Sequence, residues 1–177
     1  MDMKNLIERM KKIGFTEVAE VNVKDLVPMP EIRQMCAADR CGAYGHKWSC
    51  PPYCGTLEEC TERIQAHQNG IIMTTATQLE DSFDYEGMQE GGRRHQEQFL
   101  QAVEELRPEY PDLLPLGAGG CRNCETCTCP DEPCRFPDKM MVPMEAYGLF
   151  VSDVCRRNGV KYNNGEATVT YVSCILF

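Results

Sequence analysis

Apolar residues recur at every third or fourth position in four segments of the chain, which predicts amphipathic helices there. These segments are 3–13, 57–67, 93–106 and 144–158. The second of them follows Thr56 and contains Glu59, a pair whose side chains cap the start of a helix. Residues 78–92 are acidic and polar and contain glycine, so we expect an exposed connection there.

Runs of β-branched and other apolar residues predict the strands. The clearest are 71–77, with the composition of a central strand, and 168–177 at the end of the sequence. Shorter candidates lie at 16–23 and 113–116. Strands that alternate with helices indicate an α/β (or α+β) fold. The sequence therefore predicts one compact domain over residues 1–177, with a small mixed sheet of three to four strands and flanking helices.

Two segments are too rich in cysteine, glycine and proline to form regular structure. They are the loops 36–56 and 117–138. Pro28 and Pro30 are expected to break regular structure before the first loop, and residues 32–35 to lead into it. Loops carried on a scaffold of helices and strands are common places for functional sites.

Charge and hydropathy exclude several classes of function. The 177 residues include 27 acidic and 18 basic side chains, a net charge of −9. This balance disfavours nucleic acid and an anionic membrane surface as partners, since both attract basic proteins. No stretch approaches the ~18–20 apolar residues of a membrane-spanning helix, and the charged N-terminus does not resemble a secretory signal. We therefore expect a cytoplasmic protein.

Most of the twelve cysteines lie in two clusters, and the clustered cysteines are predicted to bind metal. Disulfide frameworks are rare in a reducing cytoplasm, and short spacings between cysteines are typical of metal ligands. Cys60, Cys155 and Cys174 lie among apolar residues at helix or strand spacing, which predicts buried core thiols. His67 and His95 have no partner at ligand spacing and are expected at the surface or in helix caps.

The second cluster begins with Cys121, Cys124 and Cys127, whose C-x2-C-x2-C spacing is typical of ferredoxin-like iron–sulfur loops. The fourth ligand is predicted to be Cys134. Cys129 is the second choice, because a residue two positions after Cys127 points to the opposite side of an extended segment. Iron–sulfur is favoured over zinc, which binds the same thiolates.

The first cluster contains four thiols within 19 residues that are predicted to share one site: Cys36, Cys41, Cys50 and Cys54. Tyr44, Trp48 and Tyr53 are candidates to shield a cluster from water. This spacing is less diagnostic, and His46 leaves a mixed cysteine and histidine zinc site open.

The segments CGAYGHKWSCPP and CRNCETCTCPDEPCRFPDKMMVPMEAYGLFVSDVCRRNGVKY, with the terminal TVTYVSCILF, resemble a family of cysteine-rich domains of unknown function that are described as predicted metal-binding proteins. The resemblance extends over about residues 36–177. It implies metal binding, and an occurrence mainly in anaerobic bacteria and archaea would favour oxygen-sensitive clusters. Cys54 and Cys129 lie outside the matched pattern. The matched cysteines are Cys36, Cys41 and Cys50 in the first set and Cys121, Cys124, Cys127 and Cys134 in the second.

Three functions follow from these predictions. The first is a protein with one or two [4Fe–4S] clusters that transfers electrons to a partner enzyme, which implies a redox partner protein. The second is an enzyme in which only Cys36, Cys41 and Cys50 hold a cluster, leaving one iron open to substrate. The third is a structural zinc-binding adaptor.

Overall fold

The computed structural model describes residues 2–177. None of the helices in this range is long and apolar enough to cross a membrane. The helices are α1 (Met3–Ile13), α2 (Pro30–Ala37), α3 (Leu57–Gln65), α4 (Tyr85–Leu106) and α5 (Val151–Arg157). The strands are β1 (Glu17–Glu20), β2 (Gly70–Gln78), β3 (Leu114–Gly117), β4 (Val142–Pro143) and β5 (Thr168–Leu176).

The strands form one mixed sheet in the order β1-β2-β5-β3-β4. Neighbouring strands are antiparallel, except that β3 and β4 are parallel. The predicted α/β class and mixed sheet are confirmed, with five strands in place of three to four. Strand β4 has only two residues, which is too short to produce an alternating pattern in the sequence.

Strands β2 and β5 form the centre of the sheet. They pair along their whole lengths, from Gly70 opposite Leu176 to Gln78 opposite Thr168. The prediction of a central strand over 71–77 is confirmed. The C-terminal strand is also internal, because it lies between β2 and β3.

Each face of the sheet carries its own hydrophobic core. Side chains alternate along a strand, so Ile72 packs into the first core while Ile71 and Met73 pack into the second. Helices α3 and α5 contribute to the first core, and α1 and α4 contribute to the second. The predicted core thiols are confirmed, since all three are fully buried in the first core: Cys60, Cys155 and Cys174.

Helix α4 begins eight residues earlier than predicted, so the expected exposed connection is wrong for residues 85–92. The side chain of Asp84 caps the helix by accepting a hydrogen bond from the Gly87 backbone N–H, at 2.8 Å. Gly91 lies against β2, where an added Cβ would be 2.5 Å from Thr77 Oγ1. The glycine that weakens the helical signal in the sequence is thus what lets this helix approach the sheet.

Proline and glycine set two other helix boundaries that differ from the prediction. Pro30 occupies the first position of α2, where the helix leaves the backbone N–H unpaired and proline is tolerated. It therefore starts a helix that the sequence analysis missed. Gly148, at a φ of 76°, ends the short 3-10 helix Met144–Tyr147. The single helix predicted over 144–158 is consequently divided, and α5 begins at Val151.

His95 of α4 is buried against the sheet, so the expected surface or capping role is wrong. Its Nδ1 lies 2.7 Å from Thr75 Oγ1, and that hydroxyl donates its proton to Gln98. Nδ1 is therefore the protonated nitrogen. Nε2 is buried without a hydrogen-bond partner among residues 2–177, and burial lowers the pKa of His95 to about 4.

We predict that acid destabilises the protein through His95. Its pKa of about 4 in the folded state is below the ~6.5 of an unfolded chain, so the unfolded state takes up the proton first as pH falls. Linkage then predicts that the free energy of unfolding falls by ~2 kcal/mol between pH 7 and pH 5 from this residue alone. Urea titrations of His95→Gln over this pH range should show a correspondingly smaller loss than those of the wild type. Equal pH dependence in the two proteins would contradict the prediction.

Candidate metal centre

The second cysteine loop begins where β3 ends and finishes where β4 begins. Because the last two residues of β3 pair with the two residues of β4, both ends of the loop are fixed side by side at the edge of the sheet. Four of its thiols line a single cavity of about 40 Å³, together with Trp48 and Phe136. We call these four cysteines the four-thiol group: Cys121, Cys124, Cys127 and Cys134.

Cys127 has the most polarised environment in the four-thiol group. Its partial burial acts to raise the pKa of the thiol, but hydrogen bonds from the backbone N–H groups of Cys129 and Trp48 outweigh this effect. The positive charge of Lys47 acts in the same direction, and the net result is a lowered pKa for Cys127. A thiol whose thiolate is stabilised in this way is suited to ligate a metal.

Cys129 and Cys134 lie in different surroundings. Cys134 lines the cavity of the four-thiol group. Cys129 is buried, with its Sγ directed at the Gly45 carbonyl oxygen in the first loop, at 3.9 Å. The structure thus places Cys134 on the cavity wall with the other three thiols, whereas Cys129 does not line the cavity. Ligation by the four-thiol group remains a prediction.

In the first loop, three of the four predicted ligands line a second cavity, of about 450 Å³. They are the three-thiol group: Cys36, Cys41 and Cys50. Cys36 is in the last turn of α2, Cys41 is exposed and Cys50 is buried. Burial raises the pKa of Cys36 and of Cys50, so these thiols would need a metal or another cation to hold them as thiolates.

Cys54 is set apart from the three-thiol group. Its side chain faces Cys60 of α3, and the Arg33 guanidinium contacts both thiols, with Nη1 3.6 Å from Cys54 Sγ and 3.7 Å from Cys60 Sγ. The hydrogen bond to Cys60, together with burial, raises the pKa of Cys54. The same hydrogen bond and the Arg33 charge lower the pKa of Cys60, against the effect of burial. We call the two cysteines, without Arg33, the Cys54–Cys60 pair.

Residues 47–49 connect the two loops. Lys47 Nζ donates to the Cys121 carbonyl oxygen at 2.7 Å, and Trp48 Nε1 donates to the Glu132 carbonyl oxygen at 3.0 Å. Ser49 Oγ accepts from the Cys121 backbone N–H at 3.4 Å. Lys47 also lines both cavities, so the two thiol groups share this segment as a wall. The sequence analysis missed Lys47, and the only signal for it was a basic residue between two predicted ligands.

His46, which left a mixed zinc site open, is exposed and does not line either cavity. Among the described residues, no three His, Cys, Asp or Glu side chains are arranged as the ligands of one metal ion. The thiols of each group surround a cavity instead. The two groups therefore differ in composition, one with four thiols around a small cavity and one with three around a larger one.

Comparisons with known proteins gave one match. A family model described as "Predicted metal-binding protein (DUF2284)" matches residues 19–177. Searches of curated proteins and of solved structures each found no match. The matched range contains every cysteine of both thiol groups.

We predict that Cys134, and not Cys129, supplies the fourth ligand of the four-thiol group. Cys134→Ser should lower the metal content per chain as much as Cys124→Ser, because both side chains line the cavity. Cys129→Ser should keep a metal content near that of the wild type. Metal analysis of the three variants, purified in parallel without oxygen, measures this. The reverse order of Cys129 and Cys134 would contradict the assignment.

Proposed function

The chain belongs to the family of predicted metal-binding proteins DUF2284, and from this premise we propose that it binds iron in [4Fe–4S] clusters and transfers electrons to a partner protein. The observation that carries the proposal is the four-thiol group around one cavity. A [4Fe–4S] cluster takes a cysteine thiolate at each of its four irons. Four thiols spread around a cavity suit such a ligand set.

The surroundings of the four-thiol group also suit a redox centre. The aromatic side chains of Trp48 and Phe136 form part of the cavity wall, and backbone N–H groups point at Cys127. Shielding and hydrogen bonds to sulfur are the means by which a protein tunes the potential of an iron–sulfur cluster. Zinc would accept the same thiolates, so a structural zinc adaptor is the competing function.

Electron transfer follows from the number of ligands. When a cysteine holds each iron, the cluster has no open position for a substrate, and exchange of electrons is the function left to it. Phe136, on the wall of the cavity, is 46% exposed, so electrons have a short way to the surface. We infer a redox protein as the partner, because the net charge of −9 disfavours nucleic acid and an anionic membrane.

A second candidate function is favoured by the position of Cys54 outside the larger cavity. A cluster held only by the three-thiol group would keep one iron open to a small molecule. The same cavity is lined by Lys47, Arg122 and one acidic residue, Glu145, and burial raises the pKa of the Glu145 carboxyl, which favours its neutral form. The cavity volume of about 450 Å³ is that of a small-ligand site. The substrate in this case would be a small anion, reduced or rearranged at the open iron with electrons from the four-thiol group.

We predict that the protein purified without oxygen is brown and contains iron and acid-labile sulfide in equal amounts. The thiols of both groups supply the ligands for this iron. Iron, zinc and sulfide analyses on the same sample measure it. Stoichiometric zinc without sulfide would contradict the proposal and support the zinc adaptor.

We further predict that Cys54 is dispensable for iron binding. Cys54→Ser should retain the iron content of the wild type, whereas Cys50→Ser, a matched change in the same loop, should lose the iron of the three-thiol group. Excess cyanide should alter the paramagnetic spectrum of the reduced wild-type protein, because an iron without a thiolate binds exogenous ligands. Loss of iron in Cys54→Ser, together with a wild-type spectrum that cyanide does not change, would contradict this prediction. Electron transfer would then be the function of both thiol groups.

A further inference from the structure

We propose that the Cys54–Cys60 pair is a redox couple that forms a reversible disulfide beside the three-thiol group. The two sulfurs share one cation, with Arg33 Nη1 donating to both at 3.6 and 3.7 Å. The Cys60 thiol also lies 3.9 Å from the Cys54 carbonyl oxygen. Because both thiols contact the same nitrogen atom and are hydrogen-bonded to each other, rotation of the two side chains is the movement that would join them in a disulfide.

Arg33 is fixed in this position by the backbone. Its Nη2 donates to the Gly55 carbonyl oxygen at 2.7 Å, and its Nη1 also donates to the Ala146 carbonyl oxygen. A guanidinium cannot lose its proton in proteins, so the pair has a permanent positive charge beside it. Such a charge stabilises a thiolate, which is the species that takes part in disulfide chemistry.

Among residues 2–177, no cation acts on the other two core thiols that influence each other, Cys155 and Cys174. Both are fully buried. The charged side chain that acts on Cys155 is Glu17, and burial together with this negative charge raises the pKa of Cys155 to about 11. This pair has the character of inert core thiols, and it provides an internal comparison within the same chain.

The Cys54–Cys60 pair is separated from the three-thiol group by one stretch of backbone. Ala146 lines the larger cavity, and its carbonyl oxygen accepts from the Cys54 thiol at 3.7 Å. The Cys54 backbone N–H bonds to the Cys50 carbonyl oxygen at 3.2 Å. Electrons therefore have a short path between the pair and a metal centre on Cys36, Cys41 and Cys50.

Oxidation of the pair breaks two S–H bonds and forms one S–S bond. Two protons are released, and two electrons leave one at a time to a one-electron acceptor, which we infer to be the metal centre of the three-thiol group. Reduction is the reverse. A one-electron route suits a pair that is 5% and 0% exposed, because no external thiol has to reach the sulfurs. The electron route rests on the proposed function, whereas the disulfide itself does not.

The test is to map the disulfide at defined potentials. The full chain is purified without oxygen and poised over a range of potentials with one-electron mediator dyes. It is then denatured in acid, and free thiols are alkylated. Trypsin releases residues 48–63, which contain Cys50, Cys54 and Cys60, and cleavage after Glu58 or Glu59 separates Cys60 from the other two. Mass spectrometry identifies which cysteines escape alkylation.

At oxidising potentials we expect the two fragments to remain linked through Cys54 and Cys60, with Cys50 alkylated, and the link to disappear when the potential is lowered. Cys155 and Cys174 should be alkylated throughout. Full alkylation of Cys54 and Cys60 at every potential, or a link through Cys50, would overturn the proposal. Iron and sulfide are measured in the same sample. If iron and sulfide are present but the disulfide never forms, the disulfide proposal is overturned and the proposed iron–sulfur function is not. If the disulfide forms in protein that lacks iron, the metal centre is not its electron acceptor.

The role of Arg33 is tested separately by substitution. Its charge stabilises the reduced pair, so Arg33→Gln should raise the ratio of disulfide to dithiol at a fixed potential about tenfold, equivalent to a midpoint ~30 mV lower. Arg33→Lys, which keeps the charge, should stay close to wild type. An unchanged ratio in folded Arg33→Gln would show that Arg33 does not tune the pair. The mapping on the wild-type chain needs no substitution and stands if a variant fails to fold.

Discussion

The antiparallel pairing of β2 with β5 is the constraint on which the rest of the structure depends. The two strands pair over nine residues each, and cores pack on both faces of the sheet. A slip of one residue would move Ile71 and Met73 from one core to the other, so burial fixes the register. Strand β3 can then pair only on the free side of β5, and its end determines where the second cysteine loop begins.

The two cysteine loops have little apolar core of their own. They are held by a few hydrogen bonds from Lys47, Trp48 and Arg33 to backbone carbonyl groups, and by the burial of Cys50, Cys54 and Cys129. In segments of this kind the free energy of metal binding becomes free energy of folding. The family's predicted metal-binding character is thus consistent with a physical need, because glycine- and proline-rich loops offer little hydrophobic burial to offset the entropy of ordering them.

Sequence reasoning succeeded where the signal is local and failed where it depends on a neighbour. The capping box at Thr56 and the composition of β2 are local, and both elements form as predicted. The start of α4 depends on the approach of Gly91 to Thr77, which no single segment reveals. In the four-thiol group, the spacing of the cysteines along the chain predicted that Cys134 lies with the other three thiols, and it does. Spacing alone did not show that Cys54 faces Cys60, because that contact depends on Arg33 from a helix that the prolines concealed.

The thiols form a series through the protein, with two cations along it. Lys47 lines the cavities of both the four-thiol and the three-thiol group, and Arg33 contacts both sulfurs of the Cys54–Cys60 pair. Clusters with thiolate ligands would add negative charge to a chain that already carries −9. The positive charges of Lys47 and Arg33 locally oppose the electric field of these negative charges. Each raises the reduction potential of the metal centre or disulfide that lies beside it. In the proposed arrangement, two half-buried cations therefore act on the potentials of the centres beside them more directly than the acidic surface does.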